Sequence, residues 1–407
     1  MVISLLALAM AAIAGIANQP QHPDVNQMAA VRIVTAEHRI EFPERIVMSL
    51  EAEAAVNVDE IQLFYRIAGQ NASVYGYPKT ARTSGILTAE FDITTNGTTF
   101  IPSGVEIEYY YLFKSSDGSQ FETERYYVEY LDPQYDWRRL DAGPVEILWH
   151  DRPLSSVEDA AEKVADRVER ITEVLGSQPS KKMKAVIVNN RSEAGRTFPV
   201  VSQAASDSNL YGGFAYGNFD VFILSGLGVD GMIHELTHLF VDEVIGSPLA
   251  KMPSWLGEGL AMYFENGAAG RNSTVSNAAS NGSLLPLHGM GAVPGRPSEV
   301  RQFYAQAWSV VDFMIEDFGD ERMSHLLRSI DEGDTIGEAT FGAYGLTIDQ
   351  LDAAWRSQIN PRPSFTTIVD PGTFGTSVII AGAMVVAATA VTVKWLRRDR
   401  TVTSIDE

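Results

Sequence analysis

Between about Val31 and Tyr130 apolar positions recur every second residue, the period of strands with one face turned inward. Ile61, Leu63, Tyr65 and Ile67 alternate with Gln62, Phe64 and Arg66, and Val105, Ile107, Tyr109, Tyr111 and Phe113 repeat the pattern. Asp117-Gly118 marks a turn, after which Phe121 to Tyr130 reads as the returning partner strand. These runs predict a β-sandwich of immunoglobulin or fibronectin type over residues 24–133, a spacer or binding module with no catalytic constellation in it.

Asp132-Pro133 to Pro144 reads as a connection, and the period then changes. Val157, Ala161, Val164, Val168, Ile171 and Leu175 recur at helical spacing, behind Ser155 and Glu158 as a capping box. Met183 to Val188 predicts a strand, and Phe214 to Leu224 one or two more, broken at Gly217-Asn218. From there to about Ile359 the pattern is mainly helical. The predicted class is therefore α+β: a sandwich, then a mixed α/β and finally helical domain over 145–359.

Both ends of the chain are apolar. Val2 to Ala17 is uncharged and ends in small residues before Asn18-Gln19-Pro20, which suits a signal segment over 1–17, cleaved or kept as an anchor. Ser377 to Val393 is uncharged and followed by Lys394, Arg397, Arg398 and Arg400. This predicts a linker at 360–376, a transmembrane helix at 377–396 and a cytoplasmic tail at 397–407. The expected placement is a single pass through the cell membrane, with the domain over 145–359 extracytoplasmic and the C-terminus cytoplasmic.

Composition removes several classes. Lys and Arg total 31 against 52 Asp and Glu, and the net charge of −21 repels nucleic acid phosphates and anionic headgroups. The absence of cysteine excludes disulfides, thiol nucleophiles, Cys-ligated zinc and iron–sulfur clusters. The sequence is silent on oligomeric state.

Chemistry concentrates in Gly231-Met-Ile-His234-Glu235-Leu-Thr-His238-Leu-Phe240. On a helix, His234 and His238 lie one turn apart on one face and can share an ion. Glu235 flanks them, close enough to act on a water beside that ion. Zinc suits two imidazoles, one carboxylate and an open position. Glu258, 20 residues after His238 in Pro253-Ser-Trp-Leu-Gly-Glu258-Gly-Leu-Ala-Met-Tyr, can close the site from a second helix. Gly257 and Gly259 beside it leave room for the two helices to approach.

At these residues the chain resembles the gluzincin metallopeptidases, the thermolysin-like clan. The run PSWLGEGLAMYF, with its Trp-x-x-Glu-Gly-x-Ala phrase, is similar to the bacterial peptidase MA-like family within that clan. The resemblance spans about 145–359 and is strongest between 231 and 264. It implies a zincin-like peptidase domain with one zinc ion on His234, His238 and Glu258, Glu235 as catalytic base, and a peptide or protein substrate. It also suggests Tyr304 as the donor that steadies the transition state; His288 is the second candidate. Tyr211-Gly-Gly-Phe-Ala-Tyr-Gly217 falls where gluzincins place the edge strand that pairs with substrate. One position departs: thermolysin-like enzymes carry an Asp four residues after the Glu ligand to orient a histidine, and here it is Met262. Metzincins need Gly and His where this chain has Val241 and Val244. The alternative reading is a cell-surface binding protein with a structural or inactive zincin domain.

Overall fold

The computed structural model describes residues 31–199 and 212–359; the signal segment, the linker, the helix at 377–396 and the tail lie outside the described residues. In chain order the first strands are β1 (Val31–Glu41), β2 (Arg45–Ala54), β3 (Val58–Ile67), β4 (Ser73–Gly76), β5 (Lys79–Thr83), β6 (Ile86–Thr94), β7 (Glu106–Ser115), β8 (Gln120–Glu122) and β9 (Tyr126–Glu129). They form two antiparallel sheets, β1-β2-β6-β5 and β4-β3-β7-β8, with β9 also paired to β7. The alternation explains their packing. Leu63 and Tyr111 pair across β3 and β7 and are fully buried, while the neighbouring pair, Phe64 and Tyr110, stacks on the outer face at 5.1 Å. The returning strand is broken into β8 and β9, because Thr123 turns its hydroxyl inward to accept the Tyr111 N–H at 3.0 Å.

A third sheet follows, of β10 (Arg138–Ala142), β11 (Val145–Trp149), β12 (Met183–Val188), β13 (Gly213–Tyr216) and β14 (Val221–Ser225), ordered β10-β11-β12-β14-β13. The central three are parallel and the two edges antiparallel. The stretch 132–144, read as a connection, thus contains edge strand β10. Parallel strands covered on both sides carry unbroken apolar runs, and Ala185-Val-Ile-Val188 is one. Ala185, Ile187, Phe222 and Leu224 face the helical side. Leu148, Val186, Val188, Val221 and Ile223 face the other way and share one core with the sandwich residues Ile101, Val105 and Ile107. The contact is direct: a β-carbon on Gly104 would stand 2.6 Å from Val186 Cγ2.

The helices are α1 (Leu154–Leu175), α2 (Arg191–Thr197), α3 (Val229–Val244), α4 (Ser254–Tyr263), α5 (Ala268–Ser280), α6 (Pro297–Phe318), α7 (Asp320–Asp331), α8 (Ile336–Tyr344) and α9 (Ile348–Ile359). The capping box expected at Ser155 and Glu158 does not form. Pro153 takes the N-cap position, so Ser155 is already inside the first turn. A capping box does form at α8, between Thr335 and Glu338.

The expected membrane placement is corrected. No helix among the described residues is long and apolar enough to cross a membrane. The longest of them, α1 and α6 with 22 residues each, are amphipathic and carry charged side chains along one face. The single-pass, extracytoplasmic reading is therefore not carried further.

Candidate metal centre

Helix α3 lies against β13 and β14 because its apolar residues Ile233, Leu236 and Phe240 repeat at helical spacing and are buried in the core. That orientation sets His234 and His238 on the flank facing α4. Helix α4 buries Trp255, Leu256 and Leu260 and turns Glu258 toward the two imidazoles. Its close neighbour is α6: a β-carbon on Gly259 would meet Ala307 O and Val311 Cγ2, each at 2.5 Å. The expected glycine-mediated approach is thus between α4 and α6 rather than between α3 and α4.

Three ligand atoms converge. His234 Nε2 and His238 Nε2 are 3.2 Å apart, and Glu258 Oε2 is 3.4 Å from the first and 3.6 Å from the second. Neighbouring ligands in a tetrahedral zinc shell with bonds of about 2.1 Å stand roughly 3.4 Å apart. The triangle matches that shell. Glu258 Oε2 is also buried without a well-directed hydrogen bond, so it is an acceptor aimed at the centre of the cluster. The donor set fits a zinc ion. It is the one grouping among the described residues with metal-ligand convergence of this kind.

Protons respond to the same geometry. Burial alone pulls His234 down, but the carboxylates of Glu258 and Glu265 beside it outweigh this and raise it to about 10. Burial would push Glu258 up, yet His234 and His238 hold it down at about 2. Glu235, 7% exposed, is raised chiefly by burial, against the pull of the two histidines.

A cleft of about 260 Å³ opens beside the cluster, lined among others by Gly213, Gly231, His234, Glu235, Glu265 and Tyr304. Tyr304, on α6, is thus brought to the site. His288 is not: it sits in a short 3₁₀ turn, 69% exposed, with Asp349 at 3.7 Å. Loop 281–296 carries it to the surface, which corrects its candidacy. The edge strand β13 reaches the cleft through Gly213, while Tyr211 lies outside the described residues.

The structure also supplies what Met262 could not. Glu265 Oε1 lies 2.6 Å from His234 Nδ1, and its other oxygen pairs with Arg271. The sequence carried little signal for it: Glu265 follows Glu258 by seven residues but lies beyond the end of α4 at Tyr263, so helical spacing does not place it.

Residues 164–361 match the family model described as the Peptidase MA superfamily, and the gluzincin-type, peptidase MA-like character read from HELTH and PSWLGEGLAMYF is borne out. Among solved structures, an M1 zinc metallopeptidase from Deinococcus radiodurans is similar at 12% identity, covering 82% of this chain and 95% of that one with a TM-score of 0.37. An aminopeptidase N family protein from Idiomarina loihiensis is similar at 9% identity, covering 76% and 70%, with a TM-score of 0.34. Likenesses this loose decide nothing about activity. No curated protein matches the chain.

Proposed function

We propose that this chain is a zinc-dependent peptidase that hydrolyses peptide bonds, with His234, His238 and Glu258 holding one zinc ion and Glu235 as general base. The observation that carries the reading is the 3.2, 3.4 and 3.6 Å triangle of ligand atoms, set beside a cleft that Glu235 also lines. A zinc ion there supplies a Lewis acid that polarises a carbonyl and brings the pKa of water to about 7.

The remaining work falls to side chains and backbone. Among the described residues β13 stands at the end of its sheet, the position at which an extended peptide adds as a further strand. Glu235, its proton affinity raised by burial, takes the proton of the attacking water and returns it to the leaving amine. Tyr304 donates its phenol proton toward the negative charge that grows on the carbonyl oxygen. The carboxylates among the described cleft residues, Glu235 and Glu265, are both committed.

The test uses the full chain beside a Glu235→Gln variant, with zinc content measured and cleavage followed on a quenched peptide library. Stoichiometric zinc in both, with turnover in the wild type alone, is expected. Zinc without any turnover would favour the binding protein with an inactive zincin domain; absence of zinc from both would overturn the reading.

A further inference from the structure

Arg271 is a cation held almost out of water, its side chain 11% exposed, in the first turn of α5. Burying a guanidinium is costly unless each face of its donor fork is used. Here one arm pairs with Glu265 Oε2 and also donates to Asn266 O at 3.1 Å, and the other donates to Met262 O at 2.6 Å. All three partners belong to the corner where α4 ends and the chain turns toward α5. The same corner is held from its far side. Asn266 N–H donates to Asp230 at 3.2 Å, and Arg167 bridges Asp230 at 2.7 Å and Phe264 O at 3.4 Å.

Only one member of this corner faces the metal cluster. Glu265 leaves Oε1 against His234 Nδ1 while Arg271 occupies Oε2. A carboxylate can only accept at Nδ1, which places the ring hydrogen there and leaves the Nε2 lone pair for the cluster. Without Arg271 the Glu265 side chain keeps its hydrogen bond but loses the contact that fixes its rotamer.

We infer that Arg271 is a positioning residue of the metal centre, acting through Glu265 to fix the tautomer and aim of the His234 ring. This rests on the zinc reading of the cluster. It places the role that an Asp four residues after the Glu ligand would fill onto a pair drawn from the α4–α5 corner.

The experiment measures zinc affinity of the full chain by competition with a chromophoric chelator, for wild type, Arg271→Met, Arg271→Lys and Glu265→Gln. Metal-free thermal midpoints are recorded beside it. Loss of such an outer partner typically weakens metal binding about 10- to 100-fold. That loss is expected for Arg271→Met and Glu265→Gln, no further loss when the two are combined, and partial recovery for Arg271→Lys, whose charge reaches Glu265 without the fork. Wild-type affinity in folded Arg271→Met overturns the inference, as does a lowered metal-free midpoint with unchanged affinity. If Arg271→Met fails to fold, unchanged affinity in both Arg271→Lys and Glu265→Gln overturns it. A wild type that binds no zinc would instead sink the zinc reading itself.

Discussion

Gly213 on β13 stands so close to Glu235 on α3 that a β-carbon there would lie 2.8 Å from Oε1 and 2.9 Å from Cγ of that side chain. Ile223 O closes the other side at 2.9 Å, so the intruding carbon could not be relieved by shifting the glutamate alone. The edge strand therefore acts as a wall that sets where the Glu235 carboxylate can point. Gly213→Ala is expected to keep zinc bound and lower kcat. A displacement near 1 Å can cost on the order of 10²-fold, and steady-state kinetics with parallel zinc analysis reads both quantities.

Tyr304 and His288 should separate cleanly. Tyr304→Phe keeps the ring and removes only the donor, so kcat should fall about 10²- to 10³-fold, the usual loss when one such donor is removed, with KM little changed. His288→Ala, on an exposed turn, should leave both constants at wild-type values. Equal effects of the two substitutions would contradict the placement of Tyr304 in the cleft.

Metal should stabilise as well as activate, because its ligands come from two helices, α3 and α4, that the unfolded chain does not hold together. Free zinc at a thousand times its Kd stabilises a folded protein by about 4.1 kcal/mol. Chelation is expected to lower the thermal midpoint by several degrees and re-addition of zinc to restore it. A Glu258→Gln variant should show a smaller response at the same zinc concentration.

The metal-free protein should depend on pH in a way that names its groups. His234 is raised from 6.5 to about 10, so the stability it contributes is complete below pH 6.5 and lost as pH rises through 10. Glu258 is lowered from 4.5 to about 2, so its contribution is complete above pH 4.5 and lost as pH falls through 2. In chelator, the stability difference between wild type and His234→Gln should therefore be largest below pH 6.5 and shrink toward pH 10. Urea midpoints of the two proteins across that range measure it.

How much of this was legible beforehand depends on the distance over which a residue acts. His234 and His238 could be read because an i, i+4 spacing has one meaning on a helix. Glu258 needed the resemblance as well. Glu265 lies just past the end of α4, where helical periodicity stops informing, and its pairing with Arg271 depends on how the next helix folds back. His288 was misjudged because nothing local says where a loop of that kind ends up. Strand β10 was passed over since Arg138, Arg139 and Asp141 give an edge strand no apolar pattern. Ser155 matched a capping motif that Pro153 pre-empts. The run Met183–Val188 announced a strand covered on both faces, but the nature of the second cover was beyond it.

That second cover bears on how such a chain can be divided and inherited. A sheet strand that shares its rear face with another domain has no solvent-ready surface of its own. Leu148, Val186, Val188, Val221 and Ile223 would all meet water if the first hundred or so residues were cut away. Each such side chain is worth roughly 1.5–3 kcal/mol when buried, and an entire domain is stable by only about 5–15 kcal/mol. The half that carries the histidine–glutamate cluster is thus not a portable cassette. Shuffling could exchange its loops, but the sandwich and the sheet behind the cleft have to travel, and diverge, as one piece.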